Sequence, residues 1–411
     1  VSSTRSGAER AGAAVQRLRA WTVSPRGPLL VGIPLLAVSV TVMLLHTHGY
    51  HIDLEVYRIG VQTWLAGGDP YGSLPPTISG LALPFIYPVF AAIVLTPFAL
   101  VPWTVAWVAL FVLSLASLAV TLYVAALRAW PTGGRAGALS VATLALPFLL
   151  WIEPVLETLE FGQVNLILMA LVAIDCLAPR TWWPRGMLVG IAAAIKLTPA
   201  AFVLFFLLRR DVRAAVVAVV TAMVATAVGF LVDAHNSAAY WFGGPASGVS
   251  GSVFYTNETV QAVVARWGVQ GPLLTGIWLA ASIGLLVLAV PTVRRADPAL
   301  ALSATAGLML VVSPTSWSHH WVWIAPALLA VGAHAVRTGS RGWIAAAAVL
   351  AVAFSVAPFR WLPGNNEVEL TWNPLQQVAG ATYVIIAIVL LAAAFRHYTR
   401  HPDRTSGPFV Q

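Results

Sequence analysis

The chain has 411 residues, 59% of them hydrophobic and only 9% charged, with a mean hydropathy of +0.83. A soluble domain holds about 45–50% apolar residues. Here they come in repeated blocks long enough to cross roughly 30 Å of hydrocarbon, which excludes a soluble globular protein; the alternating segments of an outer-membrane barrel are absent. The expected fold class is therefore all-α, a polytopic transmembrane protein. The net charge of +8 sits mostly in short loops and both tails, as the positive-inside rule asks, so it points to membrane lipids and not to nucleic acid. The single cysteine, Cys176, rules out an internal disulfide and a cysteine metal site.

In chain order, Arg5, Arg10, Arg17, Arg19 and Arg26 mark residues 1–27 as a cytoplasmic tail. Pro28–Leu45 then crosses outward, with no convincing cleavage site for a signal peptide. A first outer loop, residues 47–101, follows. It contains a short amphipathic helix, Asp53–Leu65, for which Asp53 is a suitable N-cap and Gly67-Gly68-Asp69-Pro70 the stop. Pro84–Leu100 is apolar but interrupted by Pro88 and Pro97. It lies at or dips into the outer interface, because only then do Arg128, Arg135, Arg180 and Arg185 fall inside. Trp103–Leu127 crosses inward, Ala138–Ile152 outward and Gly162–Ala178 inward.

Gly186–Leu208 starts and ends beside arginines and holds Lys196-Leu-Thr-Pro199 at its middle. It reads as a hairpin of two short half-helices with its tip in the membrane, a form tolerated where it lines a cavity. Ala214–Val232 leads out to a loop, Asp233–Gly271. Pro272–Val290, Ala299–Val312, His320–Val336, Trp343–Ala357 and Gly380–Phe395 then alternate in and out. Residues 398–411 form a second cytoplasmic tail, and residues 28–397 one membrane-embedded domain of about twelve helices, the hairpin counted as two.

Four places carry unusual polar residues. His51-Ile-Asp53-Leu-Glu55-Val-Tyr57-Arg58 is dense in charge for such a chain, and His46 and His48 adjoin it. Asp53 and Tyr57, four apart, share a helix face from which Glu55 and Arg58 are displaced. All the basic residues but one are arginine, and the exception is Lys196. Burying its charge costs about 2.5–3.5 kcal/mol, and an ammonium with no acid beside it in sequence suits an anion such as phosphate. Ser313-Pro-Thr-Ser-Trp317-Ser-His319-His320 offers one histidine as a donor to phosphate or a sugar hydroxyl and the other to packing; Trp317 stacks on a sugar or joins the interfacial aromatic belt. Glu153, Glu157, Glu160, Gln163 and Asn165 can hydrogen-bond a sugar or form a solvated loop. A phosphate-binding lysine, histidine and arginine beside one carboxylate suit group transfer from a phosphate donor to a hydroxyl, with Asp53 as general base. A single base with no second carboxylate corresponds to inversion.

Asp-Leu-x-Val-Tyr (Asp53–Tyr57), Gly-Gln-Val-Asn-x-x-Leu-Met-Ala-Leu (Gly162–Leu171), Ala-Ala-x-Lys-Leu-Thr-Pro (Ala193–Pro199) and Ser-Pro-x-Ser-Trp-x-His-His (Ser313–His320) together resemble the actinobacterial polyprenol-phosphate-mannose-dependent α-(1→2)-mannosyltransferases, multi-spanning enzymes of the GT-C fold. The chain looks most like those that elongate phosphatidylinositol mannosides. The resemblance implies a plasma-membrane enzyme with both termini cytoplasmic and its active site on the periplasmic side. It implies Asp53 as the catalytic aspartate, a polyprenol-phosphate mannose donor, a phosphatidylinositol tetramannoside acceptor, inversion, and no obligatory metal or other cofactor. Lys196, Arg58, His319 and His320 are expected at the donor phosphate, and Glu55, Tyr57, Glu157, Gln163, Asn165 and Trp317 at the sugars. The competing readings are a lipomannan α-(1→2)-branching enzyme, another lipid-phosphate-sugar transferase, and a transporter of a lipid-linked sugar.

Overall fold

The computed structural model describes residues 26–46, 51–244 and 252–400. The tail arginines before Arg26, His48 and the residues from 401 onward lie outside them. Eighteen α-helices joined by short 3₁₀ turns make up the described chain. Among the described residues no strand forms, and the one isolated bridge joins Asn257 to Trp317. Among the described residues, six helices are long and apolar enough to cross a membrane, and a bent pair would make a seventh. The chain is a multi-pass membrane protein. Set against the expected figure of about twelve, the other apolar helices are short, such as Val89–Leu100, Asn165–Leu177 and Pro298–Val312.

The first crossing, α1 (Arg26–His46), packs on α5 (Gly134–Leu149). There the Ser39 hydroxyl donates to the Pro147 carbonyl (2.8 Å), one of the last-turn carbonyls that a helix end leaves without an internal partner. The amphipathic helix α2 (Ile52–Leu65) lies against α3 (Val89–Leu100). α3 is about 18 Å long at 1.5 Å per residue, well short of a crossing. The expected N-cap is corrected: His51 holds that position, and Asp53 stands inside the first turn. α4 (Trp103–Ala129) crosses. α5 is followed by α6 (Glu153–Phe161) after a bend of 73°, and α7 (Asn165–Leu177) packs back on α4.

The hairpin is present. α8 (Met187–Ile195) ends at Lys196, whose backbone is extended (φ −146°, ψ 127°). The 3₁₀ turn Thr198–Phe202 and α9 (Val203–Leu208) return. Both ends meet one belt of arginines that satisfies exposed helix-end carbonyls. Arg185 donates to the Asp175 and Ala178 carbonyls (2.6 and 2.7 Å), and Arg128 to Leu177 (2.6 Å). Arg209 donates to Val293 and Ala296 (3.0 and 3.1 Å), next to the Arg337–Asp297 ion pair at 2.6 Å. Arg337 closes the circuit on the Ala129 carbonyl.

α10 (Val212–Val232) leads to α11 (Ala234–Gly243) and α12 (Val260–Arg266). The Gly- and Ser-rich loop is thus partly helical; residues 245–251 are not described. Arg266 is fully buried and donates to the carbonyls of Val253, Phe254, Asn257 and Gly380, which fastens this loop. α13 (Gly271–Arg295), α14 (Pro298–Val312), α15 (Ile324–Thr338), α16 (Arg341–Val356), α17 (Pro374–Ala379) and α18 (Thr382–Arg400) complete the bundle. The expected helix from His320 begins instead as a 3₁₀ turn, Ser318–Trp323, with Trp321 outside helical geometry.

Candidate active site

Four separate stretches of chain meet at one polar cluster: α2, the α6–α7 junction, the hairpin tip and the turn at 318–323. The junction is what brings α2 close. Gly162 caps α6 in the left-handed region (φ 69°), and a β-carbon there would stand 2.9 Å from that of Leu54 and 3.0 Å from that of His51. Glycine alone meets both demands at low cost. His51 seals the approach: its Nδ1 lies 2.9 Å from the Glu160 carbonyl, and its ring stacks on Trp107.

Gln163 and Asn165 follow that glycine, and both are buried. Gln163 is within hydrogen-bond reach of the Asp53 carboxylate and accepts from the Tyr57 hydroxyl at 2.6 Å. Tyr57 lies 3.0 Å from the Tyr87 hydroxyl. Burial pushes the Asp53 carboxyl up to about 6, while Gln163 and the positive charge of Lys196 hold it back from rising further. Such a carboxylate is a stronger base than a solvated one, yet still mostly ionised at neutral pH.

Lys196 Nζ donates to Asn165 Oδ1 (3.0 Å) and lies 3.0 Å from His320 Nε2, with the Tyr87 ring 5.7 Å away. The His319 carbonyl accepts from Thr158 (2.9 Å) and Asn165 (3.0 Å). The two imidazoles meet edge to face at 4.8 Å, and His319 Nε2 is buried with no hydrogen-bond partner among the described residues. Beneath the lysine lies a cavity of about 30 Å³, its polar side formed by Asn165, Lys196, Thr198, Ser313, Ser316 and His320. It has room for about two waters.

The structure thus brings Asp53, Tyr57, Gln163, Asn165, Lys196, His319 and His320 together. Glu157 stands beside them in an ion pair with Arg360 at 2.6 Å. Three others are elsewhere. Arg58 turns away from Asp53 to cap α3, donating to the Phe98 and Val101 carbonyls. Glu55 accepts from the Ile78 amide (2.9 Å) and so holds the loop after α2. Trp317 bridges to Asn257 and packs on Phe254. Sequence reasoning missed Tyr87, Thr158 and Arg360. Only their neighbours in space mark them; Thr158 alone lay inside a stretch already singled out.

The model of glycosyltransferase family 87 matches residues 85–314. A Mycobacterium tuberculosis polyprenol-phosphate-mannose-dependent alpha-(1-2)-phosphatidylinositol mannoside mannosyltransferase is 37% identical over 84% of each chain. The Mycolicibacterium smegmatis protein of that name is 36% identical over 88% of each. A Mycobacterium tuberculosis enzyme named for phosphatidylinositol pentamannoside is 30% identical, over 93% of this chain and 91% of its own. The solved structure of ArnT from Cupriavidus metallidurans with undecaprenyl phosphate aligns at a TM-score of 0.40 and 16% identity, over 89% of this chain and 77% of that one. With a family match beginning at the α2–α3 loop and running through the hairpin to Pro314, this membrane protein belongs to glycosyltransferase family 87.

Proposed function

We propose that the protein transfers mannose from polyprenol-phosphate mannose to a mannose 2-hydroxyl of a phosphatidylinositol mannoside, with Asp53 as general base. The observation that carries this reading is the pairing of a half-buried carboxylate, Asp53, with a half-buried ammonium, Lys196, through neighbouring buried amides of one junction, Gln163 and Asn165. The acceptor oxygen attacks the anomeric carbon as its proton passes to Asp53. The bond from that carbon to the phosphate oxygen breaks with inversion. The departing phosphate needs charge neutralisation, which Lys196 and a histidine supply. The first isoprene unit or two of the tail suit an apolar cavity of about 90 Å³ that shares Trp321 and Trp323 with the histidine turn.

The outer face of the plasma membrane is the site of reaction in this reading, supported by the arginine belt at the closed ends of the hairpin, away from its lysine. The tetramannoside is the acceptor, in line with the higher identity to the two enzymes not named for the pentamannoside. Purified protein in detergent tests the proposal. The expected result is transfer from the lipid donor and not from GDP-mannose, persistence in EDTA, and loss in Asp53→Asn. Transfer that survives Asp53→Asn moves the base to another carboxylate. No transfer from either donor by folded protein refutes the proposal.

A further inference from the structure

Arg360 sits in the 3₁₀ turn Pro358–Trp361, just after α16. Ala357 ends that helix in the left-handed region (φ 45°), which a β-carbon disfavours, and the reversal carries Arg360 over α6. Its Nε donates to Glu153 Oε1 at 2.7 Å, and its terminal nitrogen lies 2.6 Å from Glu157 Oε2 and 3.3 Å from Ser318 Oγ. The other oxygen of Glu153 accepts from the Tyr383 hydroxyl at 2.9 Å. One guanidinium therefore joins α6 to the residue before His319, and Glu153 extends the link to the start of α18.

We infer that Arg360 is a positioning residue: by holding Glu153 and Glu157 and reaching Ser318, it fixes where the 318–323 turn sets His319 and His320 against Lys196. The inference rests on the transferase reading above. The turn needs such support because it is a 3₁₀ stretch with a non-helical residue inside, and 3₁₀ hydrogen bonds are poorly aligned. It is held from outside, by Thr158 and Asn165 on the His319 carbonyl, by Asn257 on the Ser316 amide (2.9 Å), and by Arg360 on Ser318. Thr158 shares α6 with both glutamates. Glu153 and Glu157 are four apart on one helix face, and both are largely buried, at 7% and 12% side-chain exposure. Without the guanidinium they repel each other, α6 shifts, and the Thr158–His319 bond shifts with it. His319 also lies within electrostatic reach of both Lys196 and Arg360.

The test compares wild type with Arg360→Met, Arg360→Lys, Glu153→Gln and the double variant Arg360→Met/Glu153→Gln. Displacing a catalytic group by about 1 Å costs on the order of 10²-fold. Arg360→Met is expected to lose about that in kcat, with KM for the lipid donor nearly unchanged, and Arg360→Lys to regain part of it. The double variant falls no further than Arg360→Met, because the two side chains act as one unit. Hydrogen exchange over residues 314–323 quickens in the folded fraction of Arg360→Met by more than the accompanying fall in melting temperature accounts for. Three outcomes overturn the inference: a rise in KM with kcat kept, which makes Arg360 a substrate-binding group; lost melting temperature with normal kinetics in the folded fraction; or unaltered exchange at 314–323. A wild type that transfers nothing refutes the transferase reading instead, and the exchange result still decides whether Arg360 holds the turn.

Discussion

Replacing Lys196 by methionine separates stability from chemistry. The substitution keeps the length of the stem and deletes the ammonium, with its 3.0 Å contacts to Asn165 Oδ1 and His320 Nε2. Hydrogen bonds to a charged group contribute about 1.5–3 kcal/mol. Against that loss, a charged side chain no longer has to be buried, a relief of about 2.5–3.5 kcal/mol on insertion scales. The two effects nearly cancel, so the melting temperature moves little. The rate has no such offset. Removing one group that stabilises charge in the transition state costs about 10²–10³ in kcat. Initial rates from the lipid donor, beside thermal melting of the same preparation, read both quantities. Lys196→Arg is expected to fail as well, since a planar guanidinium does not reproduce the single compact nitrogen that meets both Asn165 Oδ1 and His320 Nε2. Transfer by Lys196→Met within about threefold of wild type, under 1 kcal/mol of barrier, would refute the phosphate role.

Because burial sets the Asp53 carboxyl at about 6, the base is protonated below that pH. The kcat/KM profile should rise with pH through about 6 and then level off, and a flat profile between about pH 5 and 7 removes Asp53 as base. Arg58→Met loses the bonds to the Phe98 and Val101 carbonyls. It should destabilise the protein by about 1–3 kcal/mol and leave the folded fraction with normal kcat; a selective loss of kcat would return Arg58 to the site. Glu258 is fully buried, and burial raises its carboxyl from 4.5 to about 8. The native state then binds that proton more tightly than the unfolded chain, so stability declines as pH rises from the ordinary carboxyl range to about 8. Glu258→Gln should flatten that decline, and an unchanged slope of melting temperature against pH excludes Glu258 as its source.

Much of this was legible because membrane helices must satisfy their own backbone and meet apolar surroundings. Long apolar runs therefore showed most crossings, and a lysine beside a proline showed the break in the hairpin. The four polar stretches were also visible, since uncompensated polar residues are costly in such a chain. Arg58 misled for a geometric reason. Five positions along a helix turn a side chain roughly 140° from Asp53, and a long arginine finds the carbonyls at the end of α3 instead. Arg360 was invisible for the converse reason. Its partners, Glu153 and Ser318, are 207 and 42 positions away, and nothing local distinguishes it from an arginine at a membrane surface. The turn at Ser318–Trp323 was read as the start of a helix because its apolar tryptophans satisfy either pattern.

The clamp on both feet of the hairpin fixes how far its tip stands from the arginine belt. With its ends pinned at the arginine belt, the hairpin's reach is a fixed length. Nine residues of α8 at 1.5 Å each place Lys196 about 13 Å from that belt. Deleting a single residue from α8 would lower the ammonium by about 1.5 Å and swing it about 100° around the helix axis, away from Asn165 and His320. The stem of this hairpin works as a ruler, and its length in residues is as much a part of the site as the lysine at its tip.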